Sequence, residues 1–149
     1  MKRLKATMMI FAGLVLAGCA QESPQKGLRE TDLRSDNYYR GDYVISSMNF
    51  PNLQRALFKH EAACGKGPVF VMDKNQTGYA TLWLYGDDPR NLRDAIMVDL
   101  TALKSSLMAQ ERVKAKIYSY YNTSREEQRA RSIWRAIENP GECEAAEAR

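Results

Sequence analysis

The sequence predicts an α+β protein, a ferredoxin-like β-α-β-β-α-β sandwich with an extra C-terminal helix. Three observations carry this. Residues 79–85 and 113–117 alternate between apolar and polar, the period of a half-buried strand. Residues 53–64 and 130–137 repeat their apolar positions at three and four, the period of a helix packed on one side. These stretches follow one another in the order that a split β-α-β sheet with both helices on one face requires.

The elements follow in chain order. Asp42 to Met48, with Tyr43, Val44 and Ile45, reads as the first strand. Pro51 suits a first helical turn, and Leu53, Ala56, Leu57, His60 and Cys64 form one stripe ending at Gly65, a C-cap residue. Gly65-Lys66-Gly67-Pro68 lacks the length and the Ser/Thr of a phosphate loop. Val69 to Met72, the turn-rich stretch Asp73 to Gly78 and Tyr79 to Tyr85 read as a hairpin. Asp88-Pro89 reads as a helix start, and Leu92, Ile96, Leu100, Leu103 and Leu107 as the stripe of a second helix. Val113, Ala115 and Ile117 mark a fourth strand. Thr123 to Glu126 reads as a capping box opening a third helix, with Ala130, Ile133, Trp134 and Ile137 inward. Asn139-Pro140-Gly141 stops it just before Cys143.

The first 20 residues are of another kind. Lys2, Arg3 and Lys5 make a basic start, Ala6 to Val15 carries no charge, and Leu16-Ala17-Gly18-Cys19 follows. The apolar run is too short to span a bilayer, which takes about 20 residues. This stretch resembles the leader and lipobox of bacterial lipoprotein precursors. The resemblance implies cleavage before Cys19, whose thiol and new amine would carry acyl chains such as palmitate, enough for stable anchoring. Ala20, where an aspartate would favour the inner membrane, implies an outer-membrane protein with its domain in the periplasm. The expected organisation is therefore a signal peptide over 1–18, a lipidated flexible tether over 19–41 and one domain over 42–149. Within the tether Arg40-Gly41-Asp42 reads as a turn, and the sequons at Asn75 and Asn122 as chance.

Removing residues 1–18 from the 149 leaves 131, a length suited to one domain. The 22 basic residues fall to 19 against 18 acidic, so the chain's net +4 becomes about +1. No nucleic-acid partner is expected. With Cys19 acylated, Cys64 and Cys143 remain as a pair in an oxidising compartment, and a disulfide between them is expected over free thiols. A metal site is the other alternative, but His60 is the only histidine and a closed zinc site needs four ligands. No metal and no cofactor are expected.

One sheet face carries Ala80, Leu82, Leu84, Val113, Ala115 and Ile117 towards the helices. The opposite face then holds Tyr79, Trp83, Tyr85, Tyr118 and Tyr120 with Lys114 and Lys116. Either the third helix crosses this face, setting Trp134 and Ile137 against Trp83, or part of it stays open to a protein partner; the first is the simpler expectation. There is no His-Glu-x-x-His, no Gly-x-Ser-x-Gly and no cluster of metal ligands, and a Cys64/His60 dyad needs a free thiol. The expectation is a non-enzymatic, lipid-anchored envelope protein that binds another protein as an accessory or assembly factor of a secretion, pilus or conjugation machine. An immunity or exclusion lipoprotein, or a small-ligand binder, is the alternative.

Overall fold

The computed structural model describes residues 27–103 and 111–143. The lipobox with Cys19, the first part of the expected tether and Leu107 lie outside the described residues. The chain forms α1 (Glu30–Leu33), β1 (Tyr39–Ser46), α2 (Phe50–Cys64), β2 (Val69–Met72), β3 (Tyr79–Leu84), β4 (Ile96–Leu103), β5 (Arg112–Ser119) and α3 (Ser124–Glu138). The five strands make one sheet in the order β1-β5-β4-β3-β2, every neighbouring pair antiparallel. The α+β sandwich expected from the sequence is present, and it ends in the expected C-terminal helix.

Helix α2 starts and stops as its residues require. The Asn49 side chain accepts a hydrogen bond from the Asn52 N–H at 2.9 Å, and proline stands in the first turn. At the other end Gly65 takes φ 75°, a left-handed position that costs glycine least, and its N–H bonds to the Glu61 carbonyl at 2.8 Å. Thr123 caps α3, its hydroxyl donating to the Glu126 carboxylate. Phe50, Leu53 and Leu57 of α2 and Ile133, Ala136 and Ile137 of α3 share one core with Ile45, Leu82, Val98 and Val113 of the sheet. Both long helices therefore lie on the same sheet face.

Four expectations change. The second predicted helix is a short 3-10 turn over Leu92–Asp94 followed by strand β4. The reason is periodic: Leu92, Ile96 and Leu100 are four apart, and four is a multiple of the strand period as well as close to a helical turn. A central strand is also covered on both sides, so its alternation is blurred; Ile96, Met97 and Val98 are each 0% exposed. Asp88 does not begin a helix; its carboxylate accepts the Arg90 N–H at 3.0 Å and closes a turn.

The third helix does not cross the aromatic face. It packs beside α2, and Trp134 stacks on Tyr43 with ring centres 4.5 Å apart rather than on Trp83. The part of the expected tether from Leu28 to Gly41 is folded: Leu33 is 0% exposed, in a second core with Trp83, Ala95, Met97 and Tyr118, so the domain begins near residue 28 instead of 42. Finally, Arg40-Gly41-Asp42 lies within β1 at a bulge, with Gly41 at φ 151°, where a turn was expected. The sheet's helix-facing set is as expected: Ala80, Leu82, Leu84, Val113, Ala115 and Ile117 all belong to the main core.

Candidate functional site

The strand register lays the outer sheet face out as three rows, because directly paired residues share a face. One row runs Tyr79, Thr101, Lys114, Val44. The next runs Val71, Thr81, Asp99, Lys116, Asp42. The third runs Val69, Trp83, Met97, Tyr118, Tyr39.

Residues 28–38 lie over the third row. Leu33 is the plug, and Leu28, Tyr38 and Leu92 pack around the same cluster. The middle row is held by Arg34. Its Nε and Nη2 reach the two Asp99 carboxylate oxygens at 2.8 and 3.0 Å, and Nη2 also reaches the Thr81 hydroxyl at 3.3 Å. Glu30 meets the remaining guanidinium nitrogen at 2.6 Å. A two-nitrogen grip on one carboxylate is the geometry arginine favours. The hydrogen bonds it donates to Asp99 hold the guanidinium still more firmly protonated than usual.

The first row is left open. Tyr79 is 48% exposed, Val44 47% and, beside them, Val71 47%. Lys114 reaches Asp42 at 2.8 Å, and this contact is the main reason that the ammonium is held above its usual range and the carboxylate below its own; a hydrogen bond with Tyr39 also lowers the carboxylate. The result is a shallow groove between α1 and the β2–β3 turn, floored by Thr81, Asp99 and Thr101 and walled by Tyr79 and Val71 on one side and Arg34 on the other.

The five aromatic residues expected to meet a partner are thus separated. Tyr79 stands free at the open row. Trp83 and Tyr118 are 6% and 8% exposed beneath the Leu28–Tyr38 segment, and burial pushes the Tyr118 phenol above its ordinary value. Tyr85 lies half-buried, stacked on Trp83 at 5.5 Å. Tyr120 is half-buried at the end of the sheet, stacked on Tyr38 at 5.3 Å with the Arg93 guanidinium 5.1 Å from its ring centre. Sequence reasoning missed Val44, Val71 and Thr101 as face residues and Arg34 as their neighbour. The alternation of β4 is the signal that would have placed Thr101; nothing in the sequence marks Arg34.

Cys64 and Cys143 are joined by a disulfide, their Cα atoms 5.3 Å apart. The His60 Nδ1 lies 3.7 Å from the Cys64 sulfur, but a bridged sulfur is no nucleophile, so these two residues do not form a hydrolase dyad. Among the described residues no three His, Cys, Asp or Glu side chains come together as metal ligands, and no helix is long and apolar enough to cross a membrane. No family model, no curated protein and no solved structure matches the chain.

Proposed function

We propose that this protein is a lipid-anchored envelope lipoprotein that acts by binding another protein, without chemistry of its own, as an accessory or assembly factor. Cys19 is the anchor, and the open row of the sheet is the binding surface. The observation that carries this is the exposure of Tyr79, Val44 and Val71, each close to half exposed and spread across one sheet face whose other half the chain covers for itself. Tyr79 and Val71 at one side and Val44 at the other flank Lys114, Lys116 and Thr101, a mixed aromatic, apolar and charged surface open to a partner. Edge strand β2 borders the same surface and offers a place for strand addition.

The test is crosslinking in intact envelopes with a photoreactive residue at Tyr79. A discrete protein adduct is expected, and Val71→Asp should abolish it while leaving the melting temperature of the domain unchanged. Absence of any protein adduct from both position 79 and position 44 would remove the reading. Lipid attachment is read separately, as the mass of the N-terminal peptide.

A further inference from the structure

We propose that the opposite, tyrosine-rich end of the sheet rests on the lipid surface and sets the orientation of the domain there; this rests on the reading of Cys19 as the anchor. The register places the start of β1, the end of β3, the start of β4 and the end of β5 at one end of the sheet. Of the chain's eight tyrosines, Tyr38, Tyr39, Tyr85, Tyr120 and Tyr121 stand in or beside those termini. They are held as a unit. Tyr38 stacks on Tyr120, Tyr120 meets Tyr121 edge-on with ring centres 5.0 Å apart, and Arg93 lies over the Tyr120 ring. Arg40 ties the pieces together, donating to the carbonyls of Asn37, Tyr39, Ser119 and Tyr120. Tyr39 and Tyr121 remain 40% and 41% exposed at the tip.

Phenol rings beside arginines match the boundary between headgroup and acyl chain, where an amphipathic ring meets water at one end and hydrocarbon at the other. Of the acidic residues near this end, Asp94 accepts from the Asn91 side chain at 2.6 Å and Asp88 lies 3.3 Å from Arg90, while Asp36 and Asp87 are exposed.

The choice of a membrane as occupant comes from the length of chain before the domain. Leu28 packs into the cluster that includes Tyr38 and Tyr120, so the chain enters the fold at this end. Only residues 20–27 separate it from Cys19. Even fully extended, a chain of that length reaches no more than about 30 Å. A strand of the length of β4 runs about 27 Å. The link at full stretch thus barely exceeds the height of the sheet, and the end where it enters is the one held nearest the bilayer. The open row with Tyr79 lies towards the other end and faces away, which leaves it free for a protein partner.

The experiment uses the full lipidated chain in vesicles of phosphatidylethanolamine and phosphatidylglycerol. p-Benzoylphenylalanine replaces either Tyr121 or Tyr79, two positions of similar exposure, and each variant is first shown to melt like the parent. Severalfold more lipid adduct from position 121 than from position 79 is expected. Equal yields, or more from position 79, overturn the proposed orientation. The mass of the N-terminal peptide is measured in the same samples: acylated Cys19 without a preference for position 121 refutes the orientation alone, whereas an unacylated Cys19 refutes the anchor and the orientation together.

Discussion

The guanidinium of Arg34 and the carboxylate of Asp99 meet through two hydrogen bonds, at 2.8 and 3.0 Å, between residues 65 positions apart. This pair fastens the N-terminal segment to the middle of the sheet. Both side chains keep about a third of their surface in water, so the contact is a half-exposed one. Asp99→Asn is expected to lower stability by about 1 kcal/mol, the upper end for exposed ion pairs, because the geometry is two-pronged. A double-mutant cycle with Arg34→Met, read by urea unfolding, should show coupling of that order. Additive effects of the two changes would mean that the pair holds nothing.

Leu33 makes a sharper prediction, because it is wholly enclosed between Trp83, Met97 and Tyr118. Leu33→Ala should lose about 2–4 kcal/mol, the range for emptying a sealed leucine site. It should also raise binding of a hydrophobic dye, since the aromatic row beneath is uncovered. An unchanged unfolding midpoint would show residues 28–38 to be a mere linker.

The disulfide spans 79 positions. Closing a loop of that size in the unfolded chain stabilises the folded one by about 4 kcal/mol on chain-entropy grounds. Reductant should therefore lower the melting temperature of the parent to that of a Cys64→Ala/Cys143→Ala variant, which itself should not respond. A parent indifferent to reductant would contradict the bridge.

Alkaline titration tests the buried phenols. Burial raises Tyr118 and Tyr85 above their ordinary value of 10.0, and the hydrogen bond to Glu138 raises Tyr43. Each folded pKa lies above the unfolded one, so the protonated phenol favours the fold. The sign follows: this contribution is fully present below about pH 10 and is lost as pH rises through the folded values. Tyr118→Phe should make stability fall less steeply above pH 10. An identical slope in denaturant titrations would show that the Tyr118 phenol is not the group responsible.

How much of this was legible beforehand depends on the element. Where one side of an element is wet, as in α2, α3, β3 and β5, the apolar period matched the structure to within a few residues. Pro51 and Gly65 mark the bounds of α2 by chemistry that operates over a few residues. Strand β4 failed that test because its first three residues, Ile96 to Val98, are dry on both sides. The pairing of Cys64 with Cys143 was readable from the count of cysteines and the oxidising compartment that the leader led one to expect. The covering of Trp83 and Tyr118 was not, since Leu33 sits alone among charged neighbours from Arg29 to Asp36 and shows no period. Tyr79 could be placed on the right face from alternation, but its openness depends on that same hidden segment.

The strand order has a kinetic consequence. Strands β2, β3, β4 and β5 follow one another as a meander, each beside its neighbour in sequence, whereas β1 must wait for β5, some 70 residues later. Loop-closure entropy delays such distant partners. Zippering is expected to start in the meander, with β1 and the Leu28–Tyr38 segment docking on the downhill side of the transition state. A change such as Ile45→Val would then hasten unfolding while leaving the refolding rate nearly untouched. Strand β1 and the segment before it would be the last to assemble and the first to fray.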